Sequence, residues 1–303
     1  MNKSYSVKTG CKINLGLNIT ERRPDGYHDL QTIFYPVPLY DELTIKSLSR
    51  SLRSKGEQLQ ITSLPLSEEC EEADVLTLSG NPLEGDVRDN LVLRAVRLLR
   101  QEGFSVPPLH IDLRKVIPSG AGLGGGSSDA ACMVRTILEK QASSGNGQDG
   151  SVSLEQMEKL VARLGADCPF FINPRPLYAE GIGDVFTPIT LNLSGWYLML
   201  VKPEVFVSTR EAYAGVHPHA PAFSLLETAA LPVEQWEGRM VNDFEESIFR
   251  NHPLLAEIKA ELYRQGAVYA AMSGSGSTVF GLFRERPECE RLFADHFTFV
   301  CQL

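Results

Sequence analysis

Excess positive charge is the first thing this sequence lacks. It sets 29 Lys and Arg against 38 Asp and Glu, a net charge of −9, which is the wrong sign for a general nucleic-acid binder. A polyanionic ligand must therefore be held by local groups. The six cysteines, Cys11, Cys70, Cys132, Cys168, Cys289 and Cys301, form no CxxC pair and no zinc-like spacing, so neither a zinc ribbon nor a disulfide framework is expected. Reduced thiols are the plain reading. No apolar run approaches the roughly 20 residues of a membrane span, and the N-terminal MNKSYSVKTGCKINLGLNI has no signal-peptide core. A soluble, cytoplasmic protein without membrane or nucleic-acid partners is expected. There is no internal repeat and no low-complexity tail.

What the chain does have is length and apolar content enough for two domains, with 303 residues of which 43% are hydrophobic. KINLGLNI and LTIKSL alternate as strands do, and Pro24, Asp25 and Gly26 mark a turn between extended segments. The acidic run SEECEEAD reads as a solvated face. Asn90 caps a helix with an apolar stripe of Leu91, Ala95, Leu98 and Leu99, and Gly103 stops it. The strand LHIDLRKVI then feeds a glycine stretch. Beyond it Ala130, Ala131, Val134, Ile137 and Leu138 lie on one helical face. ASSGNGQDGS reads as a loop, Ser153 with Gln156 as a capping box, and Gly165 as the end of the helix so opened. The second half carries short strands such as WYLMLVKP, a helix after Pro253, and a second glycine stretch, MSGSGSTVFGLF.

The stretch IPSGAGLGGGSSDAA puts its glycines between a strand and a helix whose N-terminus is expected near Ser127. That order lets backbone N–H groups and a helix dipole converge on an anion, with no Cβ in the way. GGSSD has no lysine, so this is not a Walker A loop. Gly120, Gly122 and Gly125 satisfy GxGxxG, but no second strand ending in an acid follows, which weakens a dinucleotide fold. His217 and His219 flank Pro218 with no third ligand near in sequence, so this segment reads as a loop.

PSGAGLGGGSSDAA resembles the phosphate motif of the GHMP kinases. KINLGLNITERRPDGYHDLQTIF, DNLVLRAVRLL, LGADCPFFI, AEGIGD, VNDFEESIF and MSGSGSTVFGLF follow the family's order from about Lys12 to Phe283. The resemblance implies an α+β fold in two parts: an N-terminal half over 1–175 like the second domain of ribosomal protein S5, and a C-terminal ferredoxin-like α/β sandwich over 176–303. Its active site is expected in the cleft between them. It implies transfer of the γ-phosphoryl of ATP to the 2-hydroxyl of a cytidylylated methylerythritol, a step of the non-mevalonate isoprenoid pathway. By the same resemblance Lys12 and Asp167 are the catalytic pair. Pro118, Ser119, Gly120, Ala121, Gly122, Leu123, Gly124, Gly125, Gly126, Ser127 and Ser128 bind ATP. Asn14, Tyr27, His28, Thr209 and Tyr213 bind the substrate, with Tyr27 and Tyr213 as stacking rings and His28 on the cytosine edge. Magnesium is expected with ATP, without an assigned protein site, and the chain is expected to be a monomer or weak homodimer. YAGVHPHAPAF after Tyr213 departs from the family pattern. Without the resemblance, Lys12 is a lysine on the solvated face of a strand and Asp167 a turn carboxylate before Pro169. Another kinase of the superfamily, for homoserine or mevalonate, and a non-catalytic nucleotide sensor remain alternatives.

Overall fold

A computed structural model describes residues 4–48, 62–65, 73–83, 86–143 and 152–303. Most of the acidic run and the loop expected after the glycine helix lie outside these residues. The chain forms two compact units, one of Met1–Gly10, Leu39–Ser119 and Gly124–Asn173, the other of Cys11–Pro38, Gly120–Leu123 and Pro174–Leu303. Sequence order places one boundary near 175, whereas this partition also draws residues 11–38 and 120–123 into the second unit. The cause is strand length. β1 (Ser4–Arg22) and β2 (His28–Ser47) have 19 and 20 residues, about 60 Å of extended chain each, and each contributes to both units.

In the first unit the far end of β2 pairs antiparallel with β5 (Leu109–Lys115), from Glu42 against Arg114 to Ser47 against Leu109. β5 runs parallel to β4 (Ala73–Gly80), which pairs antiparallel with β3 (Thr62–Pro65). The connection between the parallel pair carries α1 (Leu91–Gln101). Asn90 caps α1 by accepting the Val92 N–H at 2.9 Å. At the other end Phe104 N donates to Leu99 O and Gly103 N to Arg100 O, the Schellman pattern, with Gly103 at φ 84°. α1 packs on α2 (Gly125–Ser143), which buries Ala130, Ala131, Met133, Val134, Ile137 and Leu138. α3 (Leu154–Val161) opens with the Ser153–Gln156 capping box. It stops at Val161 rather than at Gly165, because Arg163 and Leu164 tighten into turns of i to i−3 bonds, to Leu160 O and Val161 O. Asp74, last of the acidic run, is not solvated: it is 3% exposed and takes a two-pronged bond from Arg100 at 2.6 and 2.8 Å.

In the second unit the near end of β2 pairs with β6 (Leu177–Glu180), and β6 with β7 (Val185–Pro188). A four-stranded antiparallel sheet follows from β8 (Tyr197–Lys202), β9 (Tyr269–Met272), β10 (Val279–Phe283) and β11 (Phe297–Gln302), in the order β11-β8-β10-β9. Fourth, first, third, second is the ferredoxin-like order that the resemblance implied. Between β8 and β9 run α4 (Thr209–Ala214), α5 (Leu225–Ala229), α6 (Phe244–Asn251) and α7 (Pro253–Arg264). α7 lies on β9 and β10, and Leu255, Ile258 and Leu262 join Met199, Val201, Met272 and Val279 in the core.

Candidate active site

The glycine loop begins where β5 ends, with Pro118 and Ser119 partly exposed. Gly122 has φ 71°, and a Cβ there would stand 2.1 Å from the carbonyl oxygen of Ser273. Its bareness thus has a packing cause, the close approach of the second glycine stretch. Ala121 and Leu123 are 3% and 1% exposed, and their carbonyls are in use, Ala121 O accepting from Thr278 N and Leu123 O from Lys12 N. The helix α2 starts at Gly125, two residues before the expected position, so Ser127 and Ser128 lie inside its first turn. Ser128 N already donates to Gly124 O at 2.9 Å, which leaves the N–H groups of Gly125, Gly126 and Ser127 as the helix's donors without an intrahelical partner. Ser128 is fully buried and its Oγ has no N or O partner. Ser127 shares a side-chain hydrogen bond with the Cys168 thiol.

That bond ties the mouth of α2 to Cys168, the residue after Asp167. Asp167 precedes a 3-10 turn, Cys168–Ile172, with φ −76° and ψ −19°, and its carboxylate makes no capping bond. The turn is apolar: Phe170 and Phe171 are 0% and 2% exposed and meet edge to face at 5.0 Å. Arg135 of α2 holds the far end of the turn by donating to Ile172 O at 2.7 Å. Burial pushes the Cys168 thiol up to about 11, and the neighbouring Asp167 charge adds to it. Asp167 thus stands on an apolar turn joined to the mouth of α2.

Lys12 is buried, at 4% exposure, where an isolated strand lysine is expected in solvent. β1 is buried on both faces from Cys11 to Ile19, so alternation does not place Lys12 outside. Its Nζ donates to Asn14 Oδ1 at 2.6 Å and to Gly122 O at 3.2 Å, and lies 4.9 Å from the Phe34 ring centroid. Asn14 is fixed in turn. Its Nδ2 donates to Thr32 Oγ1 at 2.9 Å, its N–H to Ser273 Oγ at 3.2 Å, and Ser273 Oγ donates to Gly122 O at 3.0 Å. A desolvated ammonium locked to the backbone of a glycine loop is a preorganised positive charge.

His28 and Tyr213 stack on each other, centroids 4.9 Å apart at 27°, and Tyr213 meets Phe244 edge to face at 5.0 Å. Thr209 opens α4, capped by Ser208, one turn before Tyr213 and on its face of the helix. Tyr27 is not gathered with them; it is 61% exposed at the end of the Asp25–Gly26 turn. Burial, then the Arg22 charge, lowers the His28 pKa from 6.5. As pH falls below 6.5 the unfolded chain takes up this proton before the folded one does, so the folded imidazole stays neutral through neutral pH. An NMR titration of the His28 ring protons is expected to show a midpoint below 6.5, and a midpoint at or above it would remove burial as the cause.

Sequence reasoning missed Thr32, Phe34 and Ser273, which hold Lys12 and Asn14. Ser273 carried a signal, since it belongs to the second glycine stretch, a tight connection between β9 and β10. His217 and His219 lie in a loop as expected, with His219 N bonded to Ile19 O and its Nδ1 3.8 Å from Asp243. Among the described residues no three His, Cys, Asp or Glu side chains group as metal ligands, no helix is long and apolar enough to cross a membrane, and no cysteine forms a disulfide.

Residues 90–173 match the GHMP kinases N terminal domain and residues 229–294 the GHMP kinases C terminal domain. The chain is 50% identical over 273 residues to the 4-diphosphocytidyl-2-C-methyl-D-erythritol kinase of Bacteroides thetaiotaomicron, covering 90% of both chains. It is 42% identical to that of Porphyromonas gingivalis, covering 94% of both. A crystal structure of 4-(cytidine 5'-diphospho)-2C-methyl-D-erythritol kinase superposes with a TM-score of 0.70 at 30% identity over 98% of both chains. Mevalonate kinase of Methanococcus jannaschii, 16% identical over 99% of this chain and 98% of its own, shares the fold with a TM-score of 0.65.

Proposed function

The chain belongs to the GHMP kinases, in the family of the 4-diphosphocytidyl-2-C-methyl-D-erythritol kinases, and we propose on that footing that it phosphorylates the 2-hydroxyl of 4-diphosphocytidyl-2-C-methyl-D-erythritol with ATP. The observation that carries this reading is Lys12, an ammonium 4% exposed and bound to Asn14 and to the Gly122 carbonyl of the glycine loop. A buried cation at a glycine loop that opens a helix has a use in phosphoryl transfer, whose catalysis is mostly positioning and neutralisation of charge.

The roles follow from chemistry. The N–H groups of Gly125, Gly126 and Ser127 receive phosphate oxygens. Asp167 accepts the hydrogen bond of the acceptor hydroxyl and takes its proton as the new oxygen–phosphorus bond forms; the bond to the β-phosphate oxygen breaks and ADP leaves. Lys12 supplies positive charge to the transferring group. Asn14 holds Lys12 and its neighbouring strand face in register with the acceptor, and His28, Tyr27, Tyr213 and Thr209 take the cytidine end, through stacking and edge hydrogen bonds. Of the residues present, the partly exposed Ser127 in the first turn of α2 would be the one to hold a magnesium ion by its hydroxyl, since such ions keep most of their ligands as water and phosphate. The ion would supply neutralisation of the phosphate charge. The buried Ser128 is not placed for that contact.

The test is ADP release from ATP and magnesium with the cytidylylated alcohol, beside mevalonate, homoserine and galactose as acceptors. Turnover with the cytidylylated alcohol alone is expected. Turnover with one of the others instead would overturn the substrate, and ATP binding without turnover on any of them would overturn the activity.

A further inference from the structure

Lys115 is the last residue of β5, and Asp129 lies within the first two turns of α2; the glycine loop runs between them. The two side chains meet although they stand fourteen positions apart, Lys115 Nζ donating to Asp129 Oδ2 at 2.6 Å. Lys115 also donates to Asp41, whose other oxygen accepts the N–H groups of Val116 at 2.5 Å and Ile117 at 2.8 Å. Thr9 Oγ1 donates to Asp129 Oδ1 at 2.5 Å. The Lys115 ammonium lies beneath the first residue of α2, 3.5 Å from where a Cβ on Gly125 would be. All four groups are sealed: Thr9 and Asp41 are 0% exposed, Asp129 2% and Lys115 4%.

We propose that Lys115 and Asp129 are the clasp of the glycine loop, positioning residues that hold its two ends together so that the α2 mouth is ready for ATP. The inference rests on the phosphoryl-transfer reading above. A loop whose residues 120, 122 and 124 are glycines at positive φ has unusually many conformations to lose. Bonding the strand end before it to the helix after it removes much of that freedom before the nucleotide arrives, which is preorganisation.

Stability alone does not account for this arrangement. Two carboxylates share one ammonium in the interior, where well-packed apolar side chains would serve stability as well or better. Burial pushes Asp129 up to about 6, the Lys115 charge drawing it down and the Asp41 charge raising it further, with Thr9 donating to it and the Cys132 thiol beside it. The folded state therefore holds this proton more tightly than the unfolded chain. Stability from the group is present at low pH and lost as pH rises through about 6, so above neutrality the fold carries the cost of the ionised clasp.

The decisive variant is Asp129→Asn, which leaves Lys115 paired with Asp41. Its thermal midpoint at pH 8 is expected to equal or exceed that of the unsubstituted chain. Its KM for ATP is expected to rise about tenfold, with the acceptor KM unchanged within about twofold, because only nucleotide binding uses the clasp. Amide exchange across Gly120–Ser127 is expected to quicken about tenfold. A residue that only supports the fold would lower the midpoint and leave both KM values alone. Unchanged ATP KM and unchanged exchange in a folded Asp129→Asn would overturn the proposal. Should that variant not fold, Thr9→Val removes one bond to Asp129, and an ATP KM that does not rise would equally overturn it. The two readings fail separately: no ADP release by the unsubstituted chain sinks the kinase reading, whereas normal release with indifferent variants sinks the clasp.

Discussion

Asp167→Asn is expected to lower kcat about a thousandfold while ATP binding stays near that of the unsubstituted chain, the loss typical of removing a positioned general base. The replacement is isosteric, and the turn is fixed by its own buried residues. Phe170 and Phe171 remain buried beneath it, and Ser127 and Arg135 still tie the turn to α2. What disappears is the acceptor for the hydroxyl proton. Single-turnover kinetics with the cytidylylated acceptor, calorimetry with a non-hydrolysable ATP analogue and a thermal melt separate the possibilities. Loss of nucleotide binding would assign Asp167 to the nucleotide rather than to the alcohol. A kcat within about tenfold of the original would take it out of the proton path.

Gly122→Ala is expected to remove more than about 4 kcal/mol of stability, enough to leave a domain of ordinary stability largely unfolded. An alanine at φ 71° is strained by about 1–2 kcal/mol to begin with. Its Cβ would also stand 2.1 Å from Ser273 O and 3.1 Å from Gly276 O. Neither oxygen belongs to a side chain that can rotate away. Ser273 is pinned, its N–H donating to Thr278 O and its carbonyl accepting from Gly276 N, both at 2.9 Å. Gly126→Ala is expected to behave in the opposite way. That glycine is exposed in the first turn of α2, and the added methyl would meet only Leu91 Cδ1 at 3.7 Å. Stability should hold or rise by about 0.5 kcal/mol from the better helix propensity, while the ATP KM rises about tenfold because the methyl stands where a phosphate oxygen must approach. Thermal melts and ATP kinetics on both variants test the pair. A soluble, stable Gly122→Ala would refute the packing cause, and an unchanged ATP KM in Gly126→Ala would move the phosphates off this stretch.

That contrast marks where sequence reading stops. Local signals are legible because their physics is local: the Asn90 cap, the Gly103 stop, the Ser153–Gln156 box and the Pro253 helix start each depend on residues within one or two turns. The GHMP kinase motifs added the fold, including the ferredoxin-like strand order. A glycine run says only that Cβ atoms are unwelcome; whether a ligand or another backbone excludes them depends on Ser273, which is far away in the chain. Lys12 was misplaced by alternation because β1 is buried on both faces. Asp41 and Thr9 carried no signal at all, since their meaning lies in Lys115 and Asp129. The His28–Tyr213 stack joins the start of β2 to a helix in the other half of the sequence, and the pattern around them does not predict that the two rings touch.

The bond from Asn14 N to Ser273 Oγ spans 259 positions, and this sets a schedule for the newborn chain. At a translation rate of roughly 5–20 residues per second, the strand that bears Lys12 leaves the ribosome about 13–50 seconds before its partner has been made. For that interval its apolar run, Ile13 to Ile19, has no second-unit core to enter. The amino-terminal strand is thus the segment that a holding chaperone is expected to meet, and slowing translation before residue 273 is reached should lengthen its exposure and increase aggregation more than the same delay placed after it.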